Sequence, residues 1–138
     1  IEALKVFNQC LAIDNNNATV HYEIAGLEYK AQSYEDAEEH ALKTVELEPE
    51  NSWYRQRLIA IYLAQDKNTE ALEQQKILVE QNPNDLQFIL RLAQFYYLNN
   101  QLENSINTLT LAERIEGVTP NKTQQKVEFY LKLNQLTN

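Results

Sequence analysis

The sequence predicts an all-α chain of antiparallel helix hairpins stacked into an α-solenoid, with about eight helices in its 138 residues. Three observations carry that expectation. Pro49 and Pro83 stand 34 residues apart, and in a frame of that length Ala37, Ala71 and Ser105 share one position, with Ala3 added to the left and Tyr130 falling under Tyr96 to the right. A fixed period of this size marks a stacked-repeat architecture. Within each period apolar residues recur at steps of three and four, as in Val20, Ile24, Leu27 and Ala31, which is helical spacing. Two glycines and three prolines in the whole chain suit long helices joined by short turns, and leave little material for glycine-rich hairpins between strands.

In order along the chain, residues 1–17 read as the second half of a repeat, 18–51, 52–85 and 86–119 as full repeats, and 120–138 as the first half of another, all in one domain. In the first full period, a polar turn at Gln32-Ser33 separates two helices. The second begins near Tyr34 or Glu35, where Glu35, Asp36, Glu38 and Glu39 complement the exposed amides and dipole of a helix N-terminus. Ala37, Ala41, Val45 and Leu47 are its inward candidates. Pro49 ends it, because proline disfavours helix in the preceding residue and lacks an amide proton. The next period repeats the plan with Leu58, Ile61 and Tyr62, then Ala71, Leu72 and Leu78, closing at Pro83. The third has Leu92, Phe95 and Tyr96, then Ile106, Leu109, Leu111 and Ala112. Small residues at the recurrent Ala3/Ala37/Ala71/Ser105 position let crossing helices approach closely; Ala25 and Ala93 form a second small column, with Ile59 and Val127 as larger exceptions.

The last helix carries Val127, Tyr130 and Leu131 on one face and Phe129, Leu133 and Leu136 on the other. A terminal helix with two apolar faces is short of a neighbour. With Ile1 first and no Met, the expectation is a piece cut from a longer array, whose truncated apolar ends invite self-association.

A net charge of −8 opposes a nucleic-acid backbone and an anionic membrane surface as partners. No apolar run reaches the length of a membrane span. Cys10 is alone, so no intrachain disulfide can form; at a recurrent small position it reads as an inert buried thiol. His21 and His40 lie nineteen residues apart on different expected helices, and neither a His-Glu-x-x-His nor a Cys-x-x-Cys motif occurs, so no zinc site has support. Two glycines cannot build a phosphate-cradling loop. The residues therefore point to no enzyme, no metal and no cofactor. The acidic run from Glu35 to Glu39 reads as a solvated, dipole-matched helix start. Asn17-Ala18-Thr19 and Asn121-Lys122-Thr123 match a glycosylation acceptor pattern that chance also produces.

These residues resemble the tetratricopeptide-repeat (TPR) pattern, in which a Leu, a small residue and a Tyr in the first helix precede small residues and a closing Pro in the second. Leu58, Tyr62, Ala71 and Pro83 fit it, as do Ala37, Ala41 and Pro49, and Leu92, Ala93, Tyr96 and Ala112; Phe7 sits where the second-helix aromatic is expected. Departures are His21, Arg55 and Ile89 at the usual Trp position, Ile59 at a small position, and Asn15 and Gly117 in place of Pro. The resemblance covers the whole chain. It implies a right-handed superhelix and a non-catalytic scaffold that binds a protein or peptide segment in the groove lined by first helices. The resemblance to bacterial TPR arrays further implies a soluble bacterial scaffold, of the cytoplasm or of the periplasm and cell envelope. The alternative it implies is an accessory module of a larger enzyme or sensor, such as a glycosyltransferase, peptidase or kinase, with its active site elsewhere.

Family geometry places Tyr22, Tyr29, Trp53, Arg57, Arg91, Gln94 and Tyr97 at that groove. Arg57 and Arg91 share a register, and the aromatics flank them, so an extended peptide with an acidic group and apolar side chains would suit it. The competing expectation is that the aromatics pack between helices and Arg57 pairs with Glu23 or another local acid. The carboxylate-clamp co-chaperones use Lys, Asn, Asn, Lys and Arg where this chain has Tyr22, Gly26, Arg57, Gln87 and Arg91; only Arg91 agrees.

Overall fold

The computed structural model describes residues 1–137, the side chains of Leu133 and Thr137 excepted, so the expectation for the Leu133 face lies outside the described residues. Among these residues the chain is all-helical, in the order α1 (Glu2–Ile13), α2 (Ala18–Lys30), α3 (Tyr34–Leu47), α4 (Ser52–Ala64), α5 (Asn68–Gln81), α6 (Leu86–Leu98), α7 (Leu102–Glu116) and α8 (Pro120–Thr137). The helices form two compact units, one holding α1–α4 up to Lys67 and the other α5–α8 from Asn68 onward. The boundary falls inside the middle 34-residue period.

Two backbone devices recur at the period and explain where the helices start and turn. Asn17 accepts from the Val20 amide at 3.1 Å, Asn51 from the Trp53 amide at 3.1 Å, and Asp85 from the Phe88 amide at 3.1 Å. Thr119 occupies the same register before α8, its hydroxyl 3.4 Å from the Lys122 amide. Each such side chain satisfies a donor that the first helical turn leaves without a backbone partner. The Asn17 that opens a glycosylation triplet is thus a helix cap.

The second device is the turn after each first helix. Gln32, Asp66 and Asn100 adopt φ of 62°, 56° and 59°. This left-handed residue lets Ser33, Lys67 and Gln101 donate to the carbonyls of Glu28, Tyr62 and Tyr96 at 2.9, 2.9 and 2.8 Å. That six-to-one bond closes the helix and reverses the chain into the next.

In the first unit α3 packs on both α2 and α4, and α1 packs on α2. Ile24, Ala25, Ala37, Ala41, Leu58 and Ile61 are fully buried. α1 buries no residue. Cys10 is consequently exposed, against the expectation of a buried thiol, while its register equivalent Thr44 is fully buried. The reason is packing: α3 is covered by two helices, α1 by one. In the second unit α6 packs on α5 and α7, and α7 on α8. Its core joins Ala93, Ile106, Leu109 and Phe129, with Leu90 and Tyr97 against them. Phe129 is buried, whereas Val127, Tyr130, Leu131 and Leu136 on the same helix are exposed.

The column where Trp is usual is buried in every full repeat, although two of its three residues are polar: His21 4%, Arg55 5% and Ile89 0% exposed. Arg55 donates to the Pro49 carbonyl at 2.9 Å, and His21 Nε2 lies 2.9 Å from the Asn15 carbonyl. Both acceptors stand six residues back, in the turn before the helix. A buried polar group is tolerated where it finds such a partner. Burial, opposed by the nearby Glu50 carboxylate, holds the Arg55 guanidinium below the usual arginine range.

Candidate functional site

In the first unit the candidate residues lie on α2 and α4. Arg57 is half-buried. Its Nη2 donates to the Tyr22 hydroxyl at 3.0 Å, and its Cζ sits 4.5 Å from the centroid of the Tyr22 ring. The Tyr22 ring in turn packs on Tyr54 with centroids 5.1 Å apart. Gly26 completes the cradle. A Cβ there would lie 2.9 Å from Arg57 Nη1 and 3.3 Å from its Cζ, so the missing side chain is what lets the guanidinium lie flat against α2. None of the ion pairs among the described residues includes Arg57. Its partner is therefore a tyrosine, where pairing with Glu23 or another acid was the competing expectation.

The other first-unit candidates are placed differently. Trp53 is 73% exposed on the first turn of α4. Tyr29 packs its ring on Tyr34, centroids 5.7 Å apart, beside the turn between α2 and α3. Of the four acids at the start of α3, Glu38 is engaged: Lys67 Nζ and Gln65 Nε2 each donate to Oε2 at 2.6 Å. Burial pushes that carboxyl up, but the two hydrogen bonds and the Lys67 charge outweigh it and hold it below the usual range.

In the second unit Arg91 and Gln94 are exposed on α6. They line a cavity of about 440 Å³ with Gln87, Asn121 and Gln125. Lys122 also borders it, yet its charge is committed: Nζ donates to the Gly117 carbonyl at 2.8 Å and pairs with Glu116 at 2.9 Å. Arg91 is in none of the ion pairs among the described residues. Tyr97 stacks on Phe129 with centroids 4.5 Å apart and carries Lys132 Nζ 4.1 Å above its ring. It thus belongs partly to the core, as the expectation of aromatics packing between helices had it.

Arranged this way, the candidates offer two guanidinium groups in no ion pair among the described residues, one on a tyrosine platform and one in a cavity lined by side-chain amides and by Glu116, which pairs with Lys122. Among the described residues no group of three His, Cys, Asp or Glu side chains is placed to hold a metal ion, and no helix is long and apolar enough to cross a membrane. The Gly26 floor under Arg57 was not drawn out of the sequence, although a glycine inside a helix was the available signal.

No protein-family model matches the sequence, and no curated protein matches it. Solved structures do. MamA (41-end) from Desulfovibrio magneticus RS-1 superposes with a TM-score of 0.75 at 20% identity, over 96% of this chain and 75% of that one. YrrB, described as a TPR protein with an unusual peptide-binding site, gives 0.77 at 16% identity over 95% and 68%. The first TPR of Spaghetti (RPAP3), bound to the HSP90 peptide SRMEEVD, gives 0.67 at 17% over 88% and 96%. At such identities the likeness carries the fold and leaves ligands to each protein. Helix order, the recurrent caps and turns, and these superpositions agree: the chain has the tetratricopeptide-repeat fold.

Proposed function

We propose that the chain is a non-catalytic interaction scaffold whose first-helix faces bind an extended, acidic segment of a partner protein. The observation that carries this reading is Arg57: a half-buried guanidinium fixed on Tyr22 with no carboxylate partner among the described residues. A cation already oriented by a ring and a hydroxyl has lost its conformational freedom before the ligand arrives, and guanidinium recognises carboxylates with paired hydrogen bonds. Arg91 sits one 34-residue step further on, among Gln87, Gln94, Asn121 and Gln125. Side-chain amides can both donate to and accept from a peptide backbone. Trp53, 73% exposed, adds apolar contact area. The likeness to a heat-shock-peptide complex supports a peptide ligand in general; the residues at the clamp positions, Tyr22, Gly26, Arg57 and Gln87, argue for a different peptide.

The test is calorimetric titration with extended peptides that differ only in carrying carboxylates or the corresponding amides. Acidic peptides should bind, and Arg57→Ala and Arg91→Ala should each weaken them by about tenfold or more, in line with 1.5–3 kcal/mol for a charge-assisted bond. Equal binding of both peptide sets, or unchanged affinity in the double variant, would remove the proposal.

A second reading, self-association, is favoured by the exposed Val127, Tyr130, Leu131 and Leu136 of α8. Its register equivalent for Val127 is Ala93, which is fully buried. Sedimentation of the wild type against Val127→Lys/Leu131→Lys tests it: a mass that stays monomeric in both rejects this reading.

A further inference from the structure

α1 and α8 each carry a face that is covered wherever else it occurs in the chain. Shifted by 34-residue steps, Ala3, Val6 and Cys10 of α1 fall on Ala37, His40 and Thr44 of α3, and on Ser105, Thr108 and Ala112 of α7. Ala37, Thr44, Ser105, Thr108 and Ala112 are buried and His40 is half-buried, whereas Ala3, Val6 and Cys10 are all exposed. The other stripe of α1, Leu4, Phe7 and Leu11, is half-buried, and α1 packs on α2. α1 is thus a second helix of a repeat that lacks its first.

α8 is the converse. Thr123, Val127 and Tyr130 fall on His21, Ala25 and Glu28 of α2, and on Ile89, Ala93 and Tyr96 of α6. His21, Ala25, Ile89 and Ala93 are buried, and Glu28 and Tyr96 half-buried. On α8 Thr123 is exposed, as are Val127 at 52% and Tyr130 at 49%. The helix has the face of a first helix without a second to cover it.

The hairpins within the chain show what covers such faces. α3 lies on α2 with His40 Nδ1 2.8 Å from His21 Nδ1, and His40 Nε2 3.9 Å from Glu28 Oε1. One side chain of the second helix therefore sits between two of the first. In the α6–α7 hairpin the same positions hold Thr108 with Ile89 and Tyr96. For α1 laid on α8 they hold Val6 with Thr123 and Tyr130, again two β-branched residues and a tyrosine, with no charge to desolvate. Where crossing helices approach closely, Ala93 and Ser105 are replaced by Val127 and Ala3. Lys122, Lys126 and Lys132 of α8 are engaged inside their own unit, with Glu116, Glu113 and the Tyr97 ring. The α1 and α8 faces therefore continue the α6–α7 interface by one step of the register. An antiparallel pair also brings the positive end of one helix dipole to the negative end of the other.

We propose that α1 of one copy docks antiparallel on the bare face of α8 of a second copy, completing between molecules the hairpin that α6 and α7 form within one. This pairing rests on the self-association reading and gives it a polarity, with unlike faces meeting head to tail. Two copies joined by one such contact still show a free α1 face and a free α8 face, so association either continues or closes into a ring. One helix pair covers less than the roughly 1,200 Å² of a stable complex, and dissociation constants of about micromolar to millimolar are expected.

Sedimentation equilibrium of the 138-residue chain across that range tests the pairing. The mass should rise with concentration. Val6→Lys on α1 and Val127→Lys on α8 each force a charge into the contact and should each weaken association by about tenfold or more. Both sites are exposed in the single copy, so neither substitution burdens the fold. Mixed in equal amounts, the two variants should recover a dimer that grows no further, because each keeps the face the other has lost. An unfolded variant could not do this. A wild type that stays monomeric throughout, whether α8 remains bare or a further segment of a longer chain covers it, overturns the pairing and the self-association reading together. Association lost in Val127→Lys but kept in Val6→Lys overturns the pairing alone, since two α8 faces then meet. A mixture that stays monomeric overturns it as well.

Discussion

In residues 1–67 the column beneath the helix turns holds His21 and Arg55; in the following unit the same register holds Ile89. All three are buried, but they are held in different ways. His21 and Arg55 reach a carbonyl six residues back, whereas Ile89 relies on apolar contact. The first unit adds a second polar layer in His40 and the Arg57–Tyr22 cradle. The second unit gathers Ala93, Ile106, Leu109 and Phe129 into an apolar cluster, and its own buried polar side chains, Gln75, Ser105 and Lys122, reach the carbonyls of Phe88, Gln101 and Gly117. The comparison teaches that a repeat fixes position and burial, while the chemistry at each position is free to vary so long as buried polar atoms find partners.

The contrast can be broken or sharpened by substitution. The largest effect is expected from Leu109→Ala. Leu109 is fully buried in the apolar cluster, and a large-to-small change there should cost about 2–5 kcal/mol, read as a lower urea midpoint with an unchanged slope. That loss should not vary between roughly pH 5 and 8, because the cluster contains no titratable side chain. Next comes Arg55→Ala in the first unit. It strips the Pro49 carbonyl of its partner and should cost about 1–3 kcal/mol. Arg55→Met, which restores volume without the donor, should recover part of the loss; full recovery would show that the hydrogen bond is irrelevant and that the two units are held alike. The smallest effect lies in the turns. Gln32 and Asn100 occupy the same left-handed position, but Asn tolerates that conformation better than Gln. Gln32→Gly should raise the melting free energy by about 1 kcal/mol and Asn100→Gly by less. Equal gains would mean that the side chain at this position does not matter.

Much of this was legible in the sequence. The 34-residue step of Pro49 and Pro83 and the small column Ala37, Ala71 and Ser105 locate the helices to within a residue or two, because a proline stop and a close crossing are local constraints. The capping column Asn17, Asn51, Asp85 and Thr119 was equally present, but a capping Asn cannot be told from a glycosylation triplet until its Oδ1 is seen accepting an amide. For the candidate site, Arg57 and Arg91 are recognisable from register, while the Tyr22 platform and the Gly26 floor are not. Tyr22 and Arg57 are 35 residues apart, and no local rule says which ring a guanidinium will choose. Cys10 misled for the converse reason: register predicts burial only where a neighbouring helix supplies the cover.

The residues alone determined the helical period, the stops and turns, and the absence of an intrachain disulfide, because backbone preferences and residue counts act within a few positions. Tertiary packing decided that His21 would face His40, that Arg57 would lie on tyrosine instead of pairing with acid, and that α1 would stay shallow. Those outcomes depend on which side chains are brought within a few ångströms by helices that are distant in sequence, and on how much water is excluded where they meet.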